Sequence, residues 1–402
     1  MGSDLAPDMR VELFGRTFKT PVWPASGCFG YGREFAGVLD LADLGAICVK
    51  GTSSEPWAGN PGTRVVETPG GMLNAIGLQN PGVDHFLTVD WPWLQEQGAT
   101  VIVNIVGRTV EEYVDVARRL EGSGVAALEL NISCPNVKEG GMAFGTTCRG
   151  AAEVTAAVRR ATTLPLIVKL SPNVTDIVEI ARAVEGAGAD GLSVINTLLG
   201  MSIDIRRRRP HLGNVFGGLS GPAVKPIALR MVWQVAGAVQ IPVIGIGGIM
   251  TGEDAVEFLM AGASAVQVGT ACFVNPRAPL TVAEEMARFM ADHGYRRVAD
   301  LIGAARPKGE AGARGNAGAR GNAGARGNAG ARGNAGARGG AGPGAGATGP
   351  GGVTNGPAVG GASAGSGSHR GSGHPSAAPA ARRPSGEAAE SLRQFLKDAD
   401  RA

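Results

Sequence analysis

From residue 20 to residue 270 the chain repeats one pattern. A short apolar run ends in small or polar residues, and a helical pattern often follows. The runs are 21–26 (PVWPAS), 46–50 (AICVK), 99–105 (ATVIVNI), 126–132 (AALELNI), 166–170 (LIVKL), 191–196 (GLSVIN), 243–246 (VIGI) and 265–268 (AVQV). They are short, β-branched and nearly continuous in hydrophobicity, as strands buried on both faces of a parallel sheet read. Between them, 110–120, 151–160, 175–185 and 253–260 are amphipathic at helical spacing. Thr109 and Thr251 can cap helix N-termini, and Asp254 makes the second a near match to a capping box. Gly122, Gly186 and Gly262 are placed to close helices. Eight strands with crossover helices predict an α/β fold, the (β/α)8 TIM barrel. A doubly wound sheet would need fewer strands and a reversal point, and no GxGxxG follows the first strand.

Composition changes the picture at one place. The 402 residues hold 65 Gly, and 26 of them lie within 306–386. The net charge of +3 also divides there: −5 over 1–305, +9 over 306–386 and −1 over 387–402. Three segments follow: a barrel over 1–305, a Gly/Ala/Arg-rich low-complexity tail over 306–386, and a short amphipathic helix pattern over 387–402. The tail repeats AGARGN, with Gly at every third position from Gly312 to Gly342. That is a collagen-like period, but no Pro occurs from Gly309 to Gly342, so a disordered extension is expected. RGG-like nucleic-acid contact and a triple helix are the alternatives. The mildly acidic barrel implies no nucleic-acid-binding face.

The five cysteines (Cys28, Cys48, Cys134, Cys148, Cys272) form no CxxC and no His-rich spacing, so neither a disulfide framework nor a metal site is expected. Asp4 and Asp8 rule out a signal peptide, and no apolar stretch reaches about 18 residues. A soluble, cytoplasmic protein is the expectation, with no membrane partner.

In such a barrel, chemistry sits at the C-terminal strand ends. The polar and glycine positions there are Ser26, Lys50, Asn104, Asn131, Lys169, Asn196, Gly247, Gly248, Gly269 and Thr270. A single Asn or Gly at a strand exit is ordinary turn chemistry. Two lysines and three asparagines together ask for more. Lys169 has two readings: it faces an anionic ligand, such as a flavin edge, or it pairs with Glu129 on the neighbouring strand. The glycines after the last two strands suit a phosphate held by backbone N–H groups. In Asn131-Ile132-Ser133-Cys134-Pro135-Asn136, a cysteine just past a strand end looks like a positioned base or nucleophile. Cys28, Cys48 and Cys272 read as small buried hydrophobes, and Cys148 has no catalytic context. The apolar, glycine-punctuated stretch 74–82 packs either on a planar ligand or against a β-hairpin.

These residues carry a resemblance over about 10–303. The segments ASGCFGYG (25–32), VKGTS (49–53), NAIGLQNPGVD (74–84), NISCPNVKEGGMAFG (131–145), VKLSPN (168–173), SVINTLLGM (193–201), GGLSGPAVKPIALR (217–230), GIGGI (245–249) and QVGT (267–270) resemble class 1 dihydroorotate dehydrogenases. They are most similar to the class 1B, NAD-linked catalytic subunit. The resemblance implies FMN at Ser26, Lys50, Gly51, Asn104, Asn131, Lys169, Ile195, Gly221, Gly247, Gly248, Gly269 and Thr270. It implies dihydroorotate contacts at Lys50, Asn74, Ala75, Ile76, Gly77, Leu78, Asn131, Asn196 and Thr197, joined by Asn136. It places the catalytic base at Cys134.

The implied reaction oxidises (S)-dihydroorotate to orotate in de novo pyrimidine synthesis, Cys134 taking the C5 proton and FMN the C6 hydride. Class 1B also implies FAD and a 2Fe–2S cluster in a partner subunit, a heterotetramer of two subunits of each kind, and a barrel homodimer within it. With no membrane-docking extension ahead of the barrel, the quinone-linked class 2 is not favoured. The alternatives are a class 1A homodimer using fumarate and a non-catalytic barrel with an interaction tail.

Overall fold

The computed structural model describes residues 6–133 and 144–307. Cys134, Pro135 and Asn136 lie outside these residues, as do the expectations for the repeat and for the terminal helix pattern.

Eight parallel strands form the central sheet: β1 (Val22–Pro24), β2 (Ile47–Thr52), β3 (Val101–Ile105), β4 (Ala127–Asn131), β5 (Leu166–Leu170), β6 (Gly191–Val194), β7 (Val243–Ile246) and β8 (Ala265–Val268). Their order is β1-β8-β7-β6-β5-β4-β3-β2, a nearly closed barrel. The ladder is open only between β1 and β2. Pro24 of β1 has no N–H to give that gap. The Lys50 N–H reaches the Gly30 carbonyl at 2.9 Å and spans part of it. β3, β4 and β5 are buried along their whole length, so the few polar residues they carry, Asn104, Glu129, Asn131 and Lys169, are buried too.

Six helices of nine residues or more lie among the described residues: α1 (Val110–Leu120), α2 (Cys148–Ala161), α3 (Ile177–Gly186), α4 (Lys225–Ala238), α5 (Gly252–Met260) and α6 (Ala278–Asp292). The Thr109 hydroxyl caps α1 by accepting from the Glu112 N–H. Thr251 and Asp254 complete a reciprocal capping box on α5. Asp254 does more than the pattern foretells, because it also pairs with the Lys225 ammonium on α4. Gly122 and Gly262 adopt left-handed φ after their helices. Gly186 does not close its helix. It is the last helical residue of α3, and the left-handed turn falls at Gly188, with φ of 99°.

Two excursions from the C-terminal strand ends build a second, antiparallel sheet. Its order is Leu198–Met201, Phe216–Ser220, Gly71–Asn74, Val65–Thr68. Leu73, Ala75 and Leu212 form its own small core. At the opposite end, Phe14 in the N-terminal hairpin lies against Gly191, where an added Cβ would come within 2.8 Å of the ring. The polar strand exits are therefore gathered at the other mouth, beside the second sheet. At the C-terminal edge of the described barrel, contacts run one residue beyond the expected boundary at 305. Arg306 is buried, donates to the Trp233 and Ala261 carbonyls at 2.9 Å each, and lies 4.6 Å over the Trp233 ring.

Candidate active site at the barrel mouth

Inside the barrel, four strands supply partners to one carboxylate on a fifth. Glu129 of β4 has no exposed surface. Its Oε1 accepts from Asn104 Nδ2 at 2.7 Å and from Cys48 Sγ at 3.3 Å. Its Oε2 accepts from Gln267 Nε2 at 2.8 Å. Lys169 Nζ stands 3.6 Å from Oε1 and donates to Ser26 Oγ at 3.5 Å. Burial pushes the Glu129 carboxyl up. The Lys169 ammonium and the donors Gln267 and Asn104 outweigh it and hold the group below the usual carboxylate range. The ion-pair reading of Lys169 is thus realised, though it leaves part of the ammonium free.

Cys48 departs from its expectation as a plain hydrophobe, because its thiol is a donor to Glu129. Burial first and the neighbouring carboxylate second push that thiol well above its usual range. Cys272 is buried as expected. Cys28 is only half-buried. Burial pushes its thiol up to about 11, against the pull of Lys169 and Lys50.

Asn104 passes the network upward by accepting from Asn131 Nδ2 at 3.3 Å. Asn131 in turn accepts from the Ser133 hydroxyl at 2.8 Å, and Ser133 accepts from Asn196 Nδ2 at 2.7 Å. Asn196 also fixes the next residue, since its Oδ1 accepts the Thr197 N–H at 2.8 Å. Asn173, absent from the expected site list, donates to the Thr197 carbonyl at 3.0 Å and accepts the Leu199 N–H at 2.9 Å. Ile195 is buried at the exit of β6, and the Val194–Ile195 peptide is cis.

Lys50 stands apart from this chain of bonds. Its ammonium has no ion pair or hydrogen bond among the described residues. Burial pulls its pKa below the usual lysine range and nearby Arg64 adds to that, while Cys28 and Glu34 oppose it. Gly51 follows, and a Cβ there would lie 3.1 Å from Asn104 Oδ1 and 3.7 Å from Leu78 Cδ2. The 74–78 loop therefore comes down onto the same floor.

That loop is held mainly through its backbone. Asn74 ends the hairpin strand and donates to the Gly218 carbonyl at 3.3 Å. The Ala75 N–H donates to the Arg64 carbonyl at 2.7 Å. Asn60 donates to the Ala75 and Ile76 carbonyls at 3.0 Å each. Gly77 and Leu78 both take left-handed φ, 74° and 56°. Asn80 then locks the loop end: its Oδ1 accepts from Ser53 N–H, Ser53 Oγ and Gly82 N–H at 3.1, 2.9 and 2.9 Å. The hairpin reading of this stretch is realised, since it continues the strand Gly71–Asn74.

The glycines form a separate cluster. Gly221 and Gly248 have φ of 99° and 75°. A Cβ on Gly248 would lie 2.7 Å from Lys225 Cβ and 2.9 Å from the Gly221 carbonyl. Gly247 is hemmed in by Ala228, at 2.7 Å from its added Cβ. Thr270, after Gly269, donates to Ser220 Oγ at 2.8 Å and draws the exit of β8 to the same place.

Of the expected site residues, Ser26, Gly51, Asn104, Asn131 and Lys169 are joined directly or through Glu129. Asn196 and Thr197 join them through Ser133. Gly221, Gly247, Gly248 and Thr270 form the second group. Cys134 and Asn136 lie outside the described residues. Glu129, Gln267, Asn173 and Asn80 were not expected as site residues. For Glu129 and Gln267 the available signal was a polar side chain within an apolar strand, as in ALELN and AVQV, whereas Asn173 and Asn80 lie outside the strands.

A family model described as dihydroorotate dehydrogenase matches residues 8–290. Relatives named dihydroorotate dehydrogenase B (NAD(+)), catalytic subunit, are similar over nearly their whole length. The protein from Citrifermentans bemidjiense is 60% identical over 299 residues, covering 74% of this chain and 98% of the relative. Those from Desulforamulus reducens and Geobacter sulfurreducens are 63% and 61% identical over the same length and coverage.

Proposed function

The chain belongs to the dihydroorotate dehydrogenase family, and from that premise we propose that it oxidises (S)-dihydroorotate to orotate as the catalytic subunit of the NAD-linked enzyme of pyrimidine biosynthesis. The observation that carries this reading is Lys50. It is a sheltered ammonium at a strand exit that makes no ion pair or hydrogen bond among the described residues, with Glu34 and Arg64 acting on it only from a distance. An arrangement of that kind calls for an anionic ligand.

The residues present fit FMN. Gly221 and Gly248 leave room for backbone to approach a phosphate where no side chain could stand. Ser26, Lys50, Asn104, Asn131 and Lys169 offer a polar floor to an isoalloxazine edge. Ile195 supplies an apolar contact, with Gly51, Gly247, Gly269 and Thr270 completing the set. When bound, FMN supplies the acceptor for the C6 hydride.

The chain's own residues do the rest. Cys134 takes the C5 proton. Asn131, Asn196 and Asn74 orient the substrate ring, because its edge alternates donors and acceptors and an amide matches both. The backbone of 75–78 and Thr197 complete that contact. Lys50 stands where negative charge develops, and a preorganised cation there lowers the barrier. Ser133, held between Asn131 and Asn196, fixes the chain immediately before the base.

Transfer to NAD+ is assigned to a partner subunit carrying FAD and a 2Fe–2S cluster, in a tetramer of two subunits of each kind built on a barrel homodimer. Among the described residues no helix is long and apolar enough to cross a membrane, and the cytoplasm is the proposed location.

The test is to purify the chain with FMN and add dihydroorotate without oxygen. The flavin should bleach, and NADH should form at speed only when the partner subunit is added. Fast turnover with fumarate alone would instead make this the fumarate-using form. A colourless, inert protein would reject the activity.

A further inference from the structure

Barrel interiors are usually filled by branched apolar side chains. Here one interior position is a fully buried carboxylate served by Asn104, Cys48, Gln267 and Lys169. Removing a carboxylate from water costs several kcal/mol, and an apolar filling would often be as stable. The spacing to Lys169 is also long for a tight charged pair. An ammonium bonded closely to a carboxylate sits at about 2.7–2.9 Å. Lys169 instead stands 3.6 Å from Glu129 and 3.5 Å from Ser26. It is loosely shared between two groups, and its three donors are not used up.

We propose that Glu129 is a positioning residue for the flavin site. Its charge and hydrogen bonds hold Lys169 and Asn104 in place, and it partly offsets the positive charge that Lys169 presents, which sets how far the site favours reduced over oxidised FMN. This rests on the FMN reading above. Reduction adds negative charge to the flavin's N1–O2 edge. Lys169 favours that charge and Glu129 opposes it, at close range in an interior of low dielectric. The unpartnered Gln267 Oε1 makes the point testable. If the Gln267 amide turns over, it can accept from a neutral amide at position 129, so Glu129→Gln keeps the layer bonded while removing its charge.

The experiment titrates the apo-chain with FMN by flavin fluorescence and then measures the bound flavin's midpoint potential against redox dyes. Glu129→Gln should still bind FMN and should favour the reduced form about tenfold more than the wild type does. For a two-electron couple that is a rise of about 30 mV. Gln267→Leu, which takes a donor from the carboxylate and leaves its charge less shared, should shift the potential the opposite way. A purely structural Glu129 would give no such opposed signs. Unchanged potentials in flavin-loaded variants overturn the inference while leaving the FMN reading intact. Failure of the wild-type chain to bind FMN overturns both. If Glu129→Gln does not fold, Gln267→Leu decides alone, and an unchanged or raised potential there counts against the inference.

Discussion

Asn196 donates to the Ser133 hydroxyl at 2.7 Å and so ties the exit of β6 to that of β4, across the intervening β5. Ser133 directly precedes Cys134. Cys134→Ala should therefore keep its flavin absorbance and lose bleaching by dihydroorotate, by 10²-fold or more in rate, about the share a general base contributes. Stopped-flow reduction without oxygen measures it. Normal bleaching in that variant would remove Cys134 from the mechanism.

Lys50 sets a pH limit on anion binding. Its folded pKa lies below the usual 10.5 because burial disfavours the charged form. An anionic ligand needs the proton on, so affinity weakens as pH rises, and the loss sets in below the usual 10.5. Orotate binding, read from the flavin spectrum in the Cys134→Ala background, should show this alkaline loss. Lys50→Arg should not, because a guanidinium keeps its charge throughout that range.

Glu129 works in the acid direction. Its folded pKa is depressed below 4.5, so its stabilising contribution is complete above that value and is lost as pH falls through the folded pKa. Urea unfolding of wild type and Glu129→Gln should differ most at pH 7 and converge below pH 4.5. A gap that stays constant with pH would mean the carboxylate is not the source.

Asn80 is the clamp of the 74–78 loop. Asn80→Ala strands buried donors at Ser53 and Gly82. The cost should be about 3 kcal/mol by chemical denaturation, since each orphaned donor costs about 1–3 kcal/mol. Substrate KM should rise more than kcat falls, because the proposed substrate contacts lie in this loop and the proposed base does not.

The tail can be cut, but only beyond Arg306. A chain ending at Pro307 should keep full dihydroorotate turnover. A chain ending at Ala305 loses the bonds from Arg306 to Trp233 and Ala261 and should unfold at a lower temperature. Loss of turnover in the longer truncation would assign a function to the repeat.

The barrel was readable because its strands are apolar on both faces, so eight short runs stand out against their surroundings. α4 and α6 were not read. α4 begins Lys225-Pro226 and mixes Leu229, Trp233 and Val235 with few charges, so its buried face barely stands out, whereas α6 buries Val282, Met286 and Met290 at clean helical spacing and was simply missed. The second sheet was hidden for another reason. Its central register joins Asn74 to Gly218, 144 residues apart, and no local period encodes such a pairing. Within the site, the exits of the strands could be read as chemistry. Glu129 appeared only as a rival partner for Lys169, because its convergence with Cys48 and Gln267 exists only once the barrel closes.

That convergence also constrains how such a sequence can change. Cys48, Asn104, Glu129, Lys169 and Gln267 come from five strands spread over some 220 residues, yet they answer to one carboxylate. Replace the acid alone by a hydrocarbon and Lys169 loses its counter-charge. Replace a donor alone and the acid is left short. Step-by-step replacement by an ordinary hydrocarbon core must cross those defective intermediates, so the five positions are best altered together.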